Sequence, residues 1–82
     1  MTLAELVSKA SVSEEIEIEL DGVMITGRYI KDEILSGQIP DIDNADEVQV
    51  IAWFSLADDN QYTTYTFVRC KKVVDLDDEV RY

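Results

Sequence analysis

The first twenty residues of the chain change from a helical spacing of apolar residues to a strict alternation. Thr2 and Glu5 match a capping box, in which two side chains cap the first turn of a helix. One face of that helix would carry the apolar residues spaced at i, i+3, i+4 and i+7, which are Leu3, Leu6, Val7 and Ala10. The stretch "EEIEIEL", residues 14–20, then alternates acidic and apolar residues, as a half-buried strand does. The pattern predicts a short amphipathic helix followed by a strand.

The next segment predicts a β-hairpin. Asp21-Gly22 is a preferred two-residue turn, so the chain should return through "VMITGRYI". The turn sets the cross-strand pairs Leu20–Val23, Ile18–Ile25 and Ile16–Gly27 on one face, and Glu19–Met24, Glu17–Thr26 and Glu15–Arg28 on the other. After the hairpin, "KDEILSGQIP", residues 31–40, favours a single helical turn or a compact loop.

Two longer segments, "EVQVIAWFSL" and "QYTTYTFVRCKKVV", predict a second hairpin. A three-residue loop over residues 58–60 places Asn60 in the left-handed conformation that asparagine tolerates. The resulting register includes the pairs Leu56–Tyr62, Gln49–Arg69 and Glu47–Lys71. A two-residue loop would lose the last two matches, so we expect the three-residue loop.

In this register the second hairpin is apolar on both faces. One of them collects Ile51, Trp53, Tyr65 and Phe67. Because one short helix covers only one face of a sheet, something else must meet this aromatic face. Either the tail "VVDLDDEVRY" or residues 30–39 fold across it, or it is a contact surface for a second copy or another partner.

These elements predict one α+β domain over residues 1–82. Its N-terminal helix packs on an antiparallel sheet of about four strands, which is made of the two hairpins. A chain of 82 residues with 46% apolar content can build one small core.

Charge adds a second feature to this fold. Acidic residues outnumber basic residues by 18 to 7, so the net charge is −11, and residues 41–60 hold six acids and no base. In the first predicted strand, alternate glutamates would stand about 7 Å apart, and nucleic-acid backbones also present regular rows of negative charge. Solubility or a salt-loving host would equally account for an acidic surface. The candidate partner-binding acids are Glu15, Glu17, Glu19, Asp41, Asp43, Asp46, Glu47, Asp58 and Asp59.

The sequence gives little support for a metal site, a disulfide or an enzyme activity. The acidic stretch that begins at Asp41 fails the EF-hand pattern, because Ala45, Asp46 and Ala52 occupy its discriminating positions. The chain has no histidine and a single cysteine, Cys70, so neither the usual zinc ligands nor a disulfide is available. We therefore expect no enzyme activity, no metal and no cofactor. Without a long apolar run or a signal-peptide pattern, the expected location is cytoplasmic, with no membrane contact.

In size, charge and expected fold the chain is similar to small acidic inhibitors of nucleic-acid enzymes. These include uracil-DNA glycosylase inhibitors, phage anti-restriction and anti-CRISPR proteins, and immunity proteins of nuclease toxins. The similarity includes none of their motifs, so it assigns no residue roles. It favours an inhibitor that mimics nucleic acid and occupies the basic surface of a nucleic-acid-binding protein, without binding nucleic acid itself. The alternative is a structural or assembly protein that forms a homodimer or larger oligomer through the aromatic face.

Overall fold

The computed structural model describes residues 1–57 and 63–72 of the chain. It contains two short helices, one 3₁₀ helix and four strands arranged in one sheet of order β2-β1-β4-β3. In chain order these are α1 (Leu3–Ser8), β1 (Ile16–Leu20), β2 (Val23–Met24), α2 (Lys31–Leu35), the 3₁₀ helix (Ala45–Glu47), β3 (Val48–Ala57) and β4 (Thr64–Lys72). The predicted α+β class, with an N-terminal helix and a four-stranded sheet that contains two hairpins, is confirmed.

Helix α1 begins as its capping box predicts. The backbone N–H of Thr2 donates to Oε1 of Glu5 at 2.8 Å, and the N–H of Glu5 donates to Oγ1 of Thr2 at 3.1 Å. Leu3 and Val7 are fully buried, and Leu6 packs against the same core. The apolar spacing therefore places this helix on the sheet, because only that contact removes the apolar side chains from water.

The sheet is mixed, since its two antiparallel hairpins meet through a parallel pair. Strand β1 runs parallel to β4, with Ile18 beside Val68 and Leu20 beside Cys70. These four side chains are buried in the same core as the apolar side chains of α1. The prediction of an entirely antiparallel sheet is thus corrected at this one junction. Parallel strands need a long connection, and all of the chain between β1 and β4 supplies it.

The first hairpin follows the predicted register only near its turn. Leu20 pairs with Val23, and both Asp21 and Gly22 have positive φ, as a type I′ turn requires. Further along, the chain bends away, so β2 ends at Met24 and Ile16 bridges Tyr29 in place of Gly27. The predicted pairing of Ile16 with Gly27 is therefore wrong, because the chain around residues 26–28 departs from the regular hairpin. The side chain of Arg28 nevertheless lies beside that of Glu15, as predicted.

Residues 30–42 pack on the same side of the sheet as α1. The side chains of Ile34, Ile39 and Ile42 are buried in one core with those of α1 and β1. Nζ of Lys31 donates to the carbonyl oxygen of Ser8 at 3.0 Å, which joins α2 to the end of α1. The alternative in which residues 30–39 cross the second face of the sheet is therefore wrong, and the alternative in which the tail "VVDLDDEVRY" crosses it lies outside the described residues.

The second hairpin has a different register from the predicted one. Val50 pairs with Cys70, but Ala52 pairs with Arg69, so Ile51 is an extra residue in a β-bulge. Beyond the bulge Trp53 pairs with Val68, whereas the predicted register pairs Trp53 with Tyr65. The predicted partners Gln49–Arg69 and Glu47–Lys71 are likewise wrong, since Gln49 pairs with Lys71. The predicted pair Leu56–Tyr62 and the loop over residues 58–60 lie outside the described residues.

The bulge divides the predicted aromatic face between the two sides of the sheet. Because Trp53 pairs with buried Val68, it lies on the side that carries α1. Tyr65 and Phe67 alternate with Val68 and so lie on the opposite side, which we call the outer face. Phe54 shares that face, because it pairs with Phe67. The prediction that Ile51, Trp53, Tyr65 and Phe67 form one face is therefore wrong.

Candidate binding surfaces

The acidic stretch after Ile39 is a turn followed by a capped 3₁₀ helix. The N–H of Ile42 donates to the carbonyl oxygen of Ile39 at 3.2 Å, with Pro40 and Asp41 between them. Asp41 has φ of 69°, so it occupies the third position of a type II turn, where glycine or asparagine is usual. Oδ1 of Asn44 then accepts the N–H of Asp46 at 3.0 Å, which caps the 3₁₀ helix.

Five exposed carboxylates lie at one end of the sheet, where β1 and β4 end and β3 begins. They are Asp21, Asp41, Asp43, Asp46 and Glu47, and we call this surface the acidic end. Oδ1 of Asp21 accepts the N–H of Lys72 at 3.3 Å, and Lys72 lines one shallow pocket with Asp43 and Glu47. Lys71 and Lys72 offset part of the charge, so that the described residues of this surface carry three net negative charges. Sequence reasoning assigned Asp21 only to a turn, because its closeness to residues 41–47 depends on the fold.

The glutamates of the first strand are accompanied by two arginines on the outer face. Nη1 of Arg28 lies 3.6 Å from Oε1 of Glu15, and Nε of Arg28 lies 3.8 Å from Oε2 of Glu17. Nε of Arg69 lies 2.8 Å from Oε2 of Glu19. Three carboxylates and two guanidinium groups leave one net negative charge. The row is thus far less similar to a run of phosphates than its sequence indicates.

The same arginines join the acidic row to the aromatic residues of β4. The guanidinium carbon of Arg28 lies 3.7 Å from the ring centroid of Tyr65, a cation–π distance. That of Arg69 lies 6.0 Å from the centroid of Phe67. Phe67 in turn stacks on Phe54 of β3, with centroids 6.3 Å apart. The outer face therefore changes from charged at β1 to apolar at β3.

The second half of β3 exposes large apolar side chains on both sides of the sheet. Trp53 is 51% exposed and Phe54 is 50% exposed, on opposite faces. Leu56 lies on the face of Phe54, and Ile51 occupies the bulge with 57% of its surface exposed. We call residues 51–57 the apolar end of β3. A surface of this kind usually marks a contact site.

A groove of about 300 Å³ separates α1 from the second hairpin. Leu6, Ala10 and Trp53 form apolar walls, and Glu14 and Thr66 lie at its polar side. Oγ1 of Thr66 donates to Oε2 of Glu14. These two polar groups satisfy each other, and Lys9 and Ser55 add further polar groups to the lining, so the groove is mixed in character.

Three further features of the described residues concern metal binding, cysteine chemistry and membrane insertion. Residues 1–57 and 63–72 contain no group of three cysteine or carboxylate side chains placed to hold a metal ion. The thiol of Cys70 is 1% exposed, and burial, followed by the charges of Asp21 and Glu19, raises its pKa to about 11. None of the described helices has the length and apolar character needed to span a bilayer. The predicted site residues Asp58 and Asp59 lie outside the described residues.

No family model, curated protein or solved structure shows significant similarity to this chain.

Proposed function

We propose that this protein is a non-enzymatic, acidic binding protein that occupies the basic surface with which a partner protein binds nucleic acid. The observation that carries the proposal is the acidic end, where exposed carboxylates are presented by short, well-anchored elements. A basic surface that binds phosphates is the complementary partner for such a cluster. The proposal includes a cytoplasmic location.

The way the acidic end is built favours a binding role. Ile42 and Ala45 are buried below the turn and the 3₁₀ helix. The carboxylates that alternate with or follow them are exposed: Asp41, Asp43, Asp46 and Glu47. Their backbone is held by the turn at Pro40 and by the cap at Asn44. A charged surface fixed in this way loses little conformational entropy when a partner docks.

The acidic end is a better candidate than the glutamate row of β1. Arg28 and Arg69 offset the charge of Glu15, Glu17 and Glu19, and they place cationic groups among the carboxylates. A basic partner would meet these arginines together with the glutamates. We therefore assign the glutamate row a supporting part in recognition and the acidic end the main part.

Charge reversal at Asp46 tests the proposal. The protein is immobilised, and proteins from a bacterial lysate are captured at low and at high salt. A captured protein supports the proposal only if it binds nucleic acid and added DNA displaces this chain from it. Asp46→Lys should then slow association several-fold at low salt and flatten the salt dependence, because steering acts on the association rate.

Asp32→Lys is the matched control. Asp32 is the second residue of α2 and Asp46 is the second residue of the 3₁₀ helix, and both are exposed. The two substitutions change the net charge equally, so only the location differs. If both variants slow association to the same extent, the overall charge is responsible and the acidic end is not the site. If every captured protein lacks nucleic-acid binding, the proposed partner class is wrong.

A further inference from the structure

We propose that the free edge of β3 pairs in antiparallel fashion with β3 of a second copy of this chain, which joins two four-stranded sheets into one. The inference goes beyond the binding role of the acidic end and does not depend on it. It rests on the backbone, the side chains and the charge of β3, which are considered in turn.

Among the described strands β3 lies at one edge of the sheet, and the other described residues cover only its first part. β4 lies on one side of it. On the other side, Thr2 bridges Gln49, and the N–H of Val50 donates to the carbonyl oxygen of Met1 at 2.9 Å. Among the described residues, no strand pairs with that side of residues 51–57. This part of the strand therefore offers backbone donors and acceptors to a further strand.

The apolar end of β3 lacks the features by which edge strands usually avoid pairing. Protection normally comes from charged side chains, a proline or a very short strand. β3 is ten residues long, contains neither a charged residue nor a proline, and has Gln49 and Ser55 as its only polar residues. The bulge at Ile51 lies at the start of the open stretch and leaves the six residues after it regular.

The lack of charge along β3 favours a second copy as the occupant. A basic strand would find no carboxylate along β3 to pair with, so the edge selects a neutral strand. β3 is itself such a strand, ten residues without charge in a chain of net charge −11. Most of the surface is acidic, so two copies repel each other in most orientations. Contact along β3 brings together only uncharged side chains and avoids the closest repulsion.

The open stretch also determines how two copies would align. Self-pairing about a two-fold axis is centred on the middle of residues 51–57, which is Phe54. Phe54 would then lie opposite its counterpart in the partner subunit on the outer face, next to the stacked Phe67. On the other face, Trp53 would meet Ser55 of the partner subunit, beside the groove below α1.

The affinity should be modest. A phenylalanine or tryptophan buries about 150–250 Å² in full, and roughly half of each ring remains available here. Even with the strand backbone, the contact falls below the roughly 800 Å² per partner of a typical stable complex. We therefore expect a dimer that dissociates on dilution and that tightens as salt screens the repulsion between the two copies.

Sedimentation of the full-length chain over a wide range of concentration tests the inference without any partner. Phe54→Lys and Phe54→Glu should each weaken self-association by about tenfold or more, because like charges then lie directly opposite each other. Both signs of charge are used so that the change in net charge is separated from the local effect. Leu35→Lys, which alters another exposed apolar residue, should leave dimerisation unchanged.

A cross-link keeps the inference testable if the charged variants unfold. In Phe54→Cys the new thiols should form an intersubunit disulfide under mild oxidation. Buried Cys70 should contribute no background, and Val12→Cys, at another exposed position, is the matched control. A monomer at all concentrations in high salt would overturn the inference. Equal cross-linking of both cysteine variants would overturn it as well. So would hydrogen-exchange protection of the β3 amides that does not change with protein concentration.

Discussion

At the scale of single residues, the surroundings of Cys70 determine its chemistry. The thiol is buried in the core and donates to the carbonyl oxygen of Glu19 at 3.3 Å. Desolvation disfavours the thiolate, and the negative charges of Asp21 and Glu19 oppose it further. Only the thiolate is a good nucleophile, so this cysteine should be inert while the protein is folded.

The pKa of Cys70 predicts a loss of stability at high pH. In the unfolded chain the thiol ionises near its usual pKa of 9.0, whereas in the folded protein its pKa is about 11. Stability from this group is complete below pH 9 and is lost as the pH rises towards 11. Denaturant titrations of the parent and of Cys70→Ala should show a smaller alkaline decline in the variant. Equal declines would contradict the raised pKa of Cys70. Rapid reaction of the native thiol with an aromatic disulfide at neutral pH would contradict it too.

At the scale of elements, a glycine joins the end of α2 to the acidic stretch. Gly37 follows the helix with φ of 76°, the left-handed conformation that commonly ends a helix. A β-carbon at this position would lie 3.0 Å from the carbonyl oxygen of Asp43. The close approach lets α2 and the segment before the 3₁₀ helix pack together over Ile39 and Ile42.

Gly37→Ala should therefore destabilise the fold more than a similar substitution in an open turn. The backbone conformation alone costs about 1–2 kcal/mol, and the contact with Asp43 adds to it because a backbone atom cannot move away freely. Gly22→Ala is the control, since φ there is 83° but no atom lies within 4 Å of the new carbon. Urea unfolding measures both variants. Equal losses of unfolding free energy would show that the contact with Asp43 is unimportant.

At the scale of the whole molecule, the excess of negative charge should limit stability at low salt. A net charge of −11 on a chain of 82 residues causes self-repulsion in the compact state. The ion pairs of Arg28 and Arg69 lie near the surface and offset little of it. Screening within about 8 Å at physiological ionic strength should therefore raise the free energy of unfolding.

We expect this salt effect to be general and not specific for calcium. Sodium, magnesium and calcium chlorides at equal ionic strength should raise the Tm by similar amounts, because the described carboxylates do not converge as metal ligands do. Calorimetric melting curves measure the effect. A rise of several degrees in micromolar calcium alone would contradict it and would reveal a metal site.

Local patterns in the sequence predicted those parts of the fold in which neighbours along the chain interact. The capping box of Thr2 and Glu5, the amphipathic face of α1 and the Asp21-Gly22 turn all involve residues a few positions apart. The helical turn of α2 belongs to the same group. The interactions that stabilise these features act between residues close together in the sequence, so the spacing of residue types is enough to identify them.

Contacts between distant segments decided the rest. No residue in "VIAWF" signals the bulge at Ile51, yet that one extra residue moves Trp53 to the side of α1 and leaves Tyr65 on the outer face. The parallel pairing of β1 with β4 brings Arg69 to Glu19, which no local pattern indicates. The sequence by itself determined helix α1, the helical turn of α2, the Asp21-Gly22 turn, the approximate positions of the long strands and the total charge. The tertiary structure alone decided which face each aromatic residue occupies, which carboxylates are accompanied by arginines, and that β3 is an edge. The physical reason is that side-chain direction alternates along a strand, so every face assignment depends on a register set by residues far away in the chain.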